Sequence, residues 1–148
     1  MTAARSAVGT KAASLPRMTT TPIAELARRC FETYQTQDRT TLERLLAPDF
    51  TFTSPYDDHI DRATYFERCW PNAGTFDRFD IQHVVDDGER CWVTYVGHSK
   101  TGTWFRNTEL FCFTGDQIAS VEVFFGLPPH TAPTRPHAKG RSESERSA

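Results

Sequence analysis

A chain of 148 residues with 38% hydrophobic and 12% aromatic content, including 11 Phe, has the length and material for one domain with a real core. The net charge of -2 hides basic ends: residues 1–22 carry +3 and residues 128–148 carry +2, so the body carries -7. An acidic body argues against nucleic acid as the main partner, because phosphate contacts need a basic face, and without an apolar run of about 18 residues no membrane span is expected.

The first stretch, MTAARSAVGTKAASLPR, is basic, free of acids and rich in Ala and Ser. It lacks the apolar segment of a secretory signal. It reads first as an over-extended start or loose tail before a natural start at Met18, and second as an organelle transit peptide. Residues 1–19 therefore stand outside the expected fold.

A first helix is expected from about Pro22 to Gln37, with Thr21 as cap and Ile23, Leu26, Cys30 and Tyr34 recurring at helical spacing. Asp38 is placed to cap a short second helix carrying Leu42, Leu45 and Leu46, stopped by Pro48. DFTFTSP then alternates like a short strand. The acidic stretch Asp57–Asp61 follows as a loop. Asp61 suits the N-cap of a third helix, Arg62 to Trp70, ended by Pro71. Asp57 and Asp58 are the loop's candidates for a base that reaches inward, and Tyr56 is a candidate lid. Three adjacent residues, Asp57, Asp58 and His59, cannot easily surround an ion, so no metal is expected there.

The remainder reads as a β meander: FDIQHVV, a DDGE turn, RCWVTYVGH, an SKTG turn, TWFRNTELFCF, a TGDQ turn and IASVEVFFG. Gly126-Leu127-Pro128-Pro129 closes a domain of about residues 20–127, and a basic disordered tail is expected over 128–148. Cys30, Cys69, Cys91 and Cys112 each sit in an apolar periodic segment, with neither zinc spacing nor a disulfide framework. They read as reduced core thiols of a cytoplasmic protein.

The element order predicts an α+β fold, with N-terminal helices packed on one face of a curved antiparallel sheet. A sheet wrapped around a helix makes a cone with an internal pocket. Strand side chains alternate faces, so the turns set which residues meet. With Val85 paired near Cys91, His83 lies across from Val93 and Ile81 from Tyr95. The next turn sets Tyr95 and Val93 across from Asn107 and Glu109. One face then carries His83, Tyr95, Asn107 and Glu109 amid Phe111, Val121, Val123 and Phe125, which is the composition of a small-molecule site. A buried Glu109 beside His83 is a candidate pair for proton transfer near pH 7, with Tyr95 and Asn107 orienting a carbonyl or hydroxyl. The opposite face, with Asp80, Gln82, Thr94, Arg106 and Thr108, is expected to meet solvent or a second copy of the chain. Trp92 and Trp104 read as packing or interface residues.

The segments TYQTQDRTTLERLLAPDFTFTSP, IDRATYFERCWP and FRNTELFCFTGDQIASVEVFFG resemble the SnoaL-like branch of the nuclear transport factor 2-like superfamily, over nearly all of residues 22–127. The resemblance implies the cone-shaped fold, a homodimer, and a pocket for a small hydrophobic molecule. Relatives include ketosteroid isomerases, polyketide cyclases, epoxide hydrolases, dehydratases and non-catalytic domains. By the resemblance, Glu109 falls where ketosteroid isomerases place the acid that donates to the substrate oxyanion. Ser54 falls at their general-base aspartate and Cys30 near their helix-one tyrosine, so steroid isomerisation by that mechanism is not expected. Gly97-His98 is a weak echo of a GTH stretch in some cyclases. The resulting expectation is a cofactor-free isomerase, cyclase, dehydratase or hydrolase; the alternative is a non-catalytic binding or dimerisation module.

Overall fold

The computed structural model describes residues 21–126. The N-terminal stretch with its alternative start at Met18, the closing Leu127-Pro128-Pro129 and the basic tail all lie outside the described residues.

Helix α1, Ile23–Thr36, forms because Ile23, Leu26, Ala27, Cys30 and Phe31 fall on one stripe and bury together. Its N-cap is Pro22 rather than Thr21, and the Pro22 carbonyl, with no help from a side chain, accepts from the Glu25 and Leu26 amides. Helix α2, Arg39–Leu45, is capped by Asp38, which accepts from the Thr41 amide at 3.0 Å and from its hydroxyl at 2.6 Å. The helix ends earlier than Pro48 was expected to end it. Leu46 is already extended, and Pro48 restricts the residue before it to the same region, so both belong to strand β1, Leu46–Ser54.

The acidic stretch is a strand and not a loop. Strand β2, Asp57–Asp61, folds back on β1 around Pro55-Tyr56, pairing Ser54 with Asp57 and Phe52 with Ile60. Asp61 then caps helix α3, Arg62–Arg68, by accepting from the Thr64 amide at 2.8 Å. A 3-10 segment, Trp70–Thr75, leads into β3, Phe76–Asp86. The meander continues through β4, Arg90–Ser99, β5, Trp104–Thr114, and β6, Gln117–Phe125. Its three turns carry Gly88, Gly102 and Gly115 at positive φ, where a side chain would be strained.

The six strands form one sheet in the order β2-β1-β6-β5-β4-β3. Every neighbouring pair is antiparallel except β1 with β6, which is parallel. That junction seats the β1–β2 hairpin beside the C-terminal end of β6. Helix α1 lies across the inner face, against β3, β4 and β6. The core between them is built on fully buried Leu42, Phe50, Val93, Phe111 and Ile118. None of the described helices is long and apolar enough to cross a membrane.

Candidate active site

Three cross-strand rows on the inner face build the site. The first joins Ile81, Tyr95, Asn107 and Phe125 across β3, β4, β5 and β6. The second joins Val93, Glu109 and Val123, and the third joins Cys91, Phe111 and Val121. The rows face α1 and enclose a cavity of about 530 Å³, a size suited to a small organic molecule. Eleven of its 23 lining residues are aromatic, so its walls are apolar and stiff.

A chain of hydrogen bonds crosses the first two rows. The Gly126 amide donates to Asn107 Oδ1 at 3.3 Å, which turns the Asn107 amino group toward Tyr95. Asn107 Nδ2 donates to Tyr95 Oη at 3.5 Å, and Tyr95 Oη donates to Glu109 Oε1 at 2.6 Å. The second carboxyl oxygen of Glu109 has no hydrogen-bond partner among the described residues, and no cation pairs with the group. Enclosure by protein pushes the Glu109 carboxyl up from 4.5 to about 7, and the Tyr95 hydrogen bond opposes only part of that rise. The site therefore holds a carboxyl that takes up and releases a proton near neutrality.

A second polar pair sits on the helical wall. Tyr34 from α1 and Tyr65 from α3 meet hydroxyl to hydroxyl at 2.5 Å, and both line the cavity. Burial raises both phenols well above their ordinary range, so they stay protonated. Tyr34 lies one helical turn beyond Cys30, on the same stripe. The Cys30 thiol also lines the cavity and is raised by burial, which keeps it neutral.

The mouth is formed by Tyr56 and Phe125, both exposed, whose rings meet at 5.5 Å. Beside them Asp57, with only 13% of its side chain exposed, takes a hydrogen bond from Arg68 Nη1 at 2.9 Å. Asp57 Oδ2 is also 3.5 Å from Ser54 Oγ. A carboxylate thus stands across the hairpin from Ser54.

Of the residues expected at the site, the cavity brings together Glu109, Tyr95, Asn107, Val121, Val123, Phe125, Tyr56 and Asp57. His83 is not there. The β3–β4 register shifts by one residue between Ile81 and His83, so Val84 takes the place opposite Val93 and His83 turns outward opposite Thr94. Phe111 faces inward but is fully buried against Phe31 and does not line the cavity, although Val121 in the same row does. Asp58 is 89% exposed and bonds His59, whose positive φ marks an irregularity in β2. His98 bonds Asp80 at 2.7 Å at a shallow polar cleft near the far edge of the sheet, away from the site. Trp92 lies on the outer face against Phe124, and Trp104 is half-buried and not among the lining residues.

Tyr34, Tyr65, Cys69 and Arg68 were not foreseen as lining residues. The signal for the tyrosines was present: Tyr34 continues the Cys30 stripe, and Tyr65 with Cys69 repeats the spacing of four along α3 and its C-cap.

The family model for the SnoaL-like domain matches residues 27–121. None of the curated proteins matches the chain. Among solved structures, a candidate ketosteroid isomerase from Kribbella flavida is similar over 86% of this chain and 96% of its own, with TM-score 0.63 and 21% identity. A candidate polyketide cyclase from Sinorhizobium meliloti is similar over 68% of this chain and 94% of its own, with TM-score 0.56 and 17% identity. A de novo designed protein with a curved β-sheet covers 74% of this chain and 88% of its own, with TM-score 0.63 and 13% identity. At such identities the likeness is one of fold, and function must be argued from the site.

Glu109 makes stability depend on pH in a direction opposite to a salt-bridged carboxylate. Below about pH 4.5 folded and unfolded chains both hold the proton. Between 4.5 and 7 the folded chain keeps a proton that the unfolded chain releases, so stability falls as pH rises, and the full cost applies above 7. Glu109→Gln removes that cost. Urea unfolding should show the variant more stable than the parent by about 1–3 kcal/mol at pH 8.5, with the gap closing toward pH 4.5. A gap that is equal at both ends would refute the raised carboxyl.

Proposed function

The chain belongs to the SnoaL-like family, and from that premise we propose that it is a cofactor-free acid–base enzyme acting on a hydrophobic, oxygen-bearing small molecule held in the cavity. The observation that carries this reading is Glu109: a carboxyl in an apolar chamber, oriented by Tyr95, without a cation among the described residues, and pushed up to about 7 by burial. In its protonated form one oxygen accepts from Tyr95 and the other donates into the cavity, toward a substrate oxygen that gains negative charge. The Tyr34–Tyr65 pair supplies a second donor from the opposite wall. Asp57 at the mouth is the base we assign: its carboxylate takes a proton from carbon adjacent to a carbonyl, and the same proton or one from water returns to the substrate. Isomerisation, cyclisation and dehydration all use such a step.

Dibenzyl ketone, with two aromatic groups around an enolisable carbonyl, is a suitable first substrate. In D₂O near pH 6.5 the protein should catalyse exchange of its α-protons, followed by NMR. Glu109→Leu, which removes the donor, should slow that exchange by about 10²–10³-fold, the usual cost of losing an oxyanion donor. Exchange at an unchanged rate in the variant would defeat the assignment.

The outer face favours a second role, as a dimerisation surface of the same fold. Val85, Trp92 and Phe124 are exposed there, and the Trp92 and Phe124 rings lie 6.1 Å apart. We propose a second copy of the chain as the partner for this face. Light scattering should give a dimer mass for the parent and a shift toward monomer for Trp92→Glu; a monomeric parent would dismiss the proposal.

A further inference from the structure

We propose that the cavity also takes a hydrophobic ammonium ion, its charge set against Glu109 and its hydrocarbon groups against the aromatic walls. Three lining residues carry formal charge: Asp57, Arg68 and Glu109. Asp57 and Arg68 pair with each other at the mouth. Glu109 is left deeper in the chamber, with a phenol as its hydrogen-bond partner and no positive charge opposite it among the described residues.

The surroundings suit a soft cation. The Tyr95 ring that holds Glu109 packs at 4.7 Å from Phe31, 5.5 Å from Phe79 and 6.1 Å from Phe105. Phe76 joins Phe79 and Phe105, at 4.9 and 5.8 Å. Such walls attract a cation electrostatically through the ring faces and accommodate its alkyl groups by burial. A quaternary ammonium, with no N–H to satisfy, asks for no acceptors that the apolar walls lack. A primary ammonium would need three acceptors. An anion would meet Glu109 and Asp57 and is disfavoured.

This inference rests on the proposed reading of Glu109 as the group that faces the ligand, but not on catalysis. The two uses need opposite forms of the carboxyl: the reaction uses the acid, and the ammonium uses the carboxylate. A bound ammonium is therefore an inhibitor whose grip tightens as pH rises. The other titratable groups facing Glu109 are Cys30 and Tyr34 from α1, Tyr65 and Cys69 from α3 and its end, and Tyr95 from β4. All five are raised by burial, Cys69 to about 11, so they stay neutral from pH 5.5 to 8.5. Arg68 and Asp57 remain paired at the mouth.

The test is calorimetric titration at pH 5.5 and 8.5 with two matched probes, dibenzyldimethylammonium and dibenzyl ketone. The ammonium carries no titratable proton, so its pH dependence reports the protein. Its affinity should be about 30-fold higher at pH 8.5, following the fraction of ionised Glu109. The ketone should show the opposite trend, and Glu109→Gln should flatten both. Equal ammonium affinity at the two pH values, or undiminished affinity in Glu109→Gln at pH 8.5, overturns the inference. If only the ammonium trend is missing, the proposed reaction stands; if both trends are missing, both readings fall.

Discussion

A carboxyl group shut among aromatic rings, with a phenol for company and no cation among the described residues, is the constraint on which the rest of the site depends. Its negative form is costly where water is scarce, so the proton is held to about pH 7. A salt bridge in the same place would have fixed the charge and removed the chemistry. Tyr95 does not neutralise Glu109; it orients it, and Asn107 and the Gly126 amide orient Tyr95 in turn. Glu109 is thus positioned by Gly126, just past the end of β6, as well as by its own strand.

The sheet order makes this possible. Because β1 runs parallel to β6, the N-terminal hairpin is carried next to the end of the chain's last strand. Tyr56 reaches Phe125, and Asp57 comes to the mouth of a cavity whose polar groups lie on β4 and β5. The helices contribute the second wall, where Tyr34 and Tyr65 bond each other across α1 and α3. Cys30 and Ser54, which the sequence resemblance singled out, each have a polar neighbour at the cavity: Tyr34 one turn along the helix, and Asp57 across the hairpin.

Much of this was legible in the sequence, for a physical reason. β4 and β5 are regular and their turn is tight, so pleat parity alone aligned Tyr95 with Asn107 and Val93 with Glu109. The same rule failed on β3, because one extra residue after Ile81 reverses the faces and sends His83 outward. A bulge of that kind has no strong residue signature. Asp57–Asp61 looked like a loop because acids are rare in strands; at the sheet edge Asp58 and Asp61 meet water, and Asp57 pairs with Arg68. Phe111 shows a different limit. Parity tells which face a side chain takes, and not how far along the strand the cavity gives way to packed core.

The most direct test is the titration of Glu109 itself. Carbon-13 NMR of the side-chain carboxyls, with Glu109→Gln to assign the resonance, would follow its ionisation from pH 3 to 10. The expected midpoint lies near 7 and moves higher in Tyr95→Phe, where the hydrogen bond that favours the carboxylate is lost. A midpoint near 4.5, unmoved by Tyr95→Phe, would mean that the carboxyl is solvated, and the acid–base site would not exist.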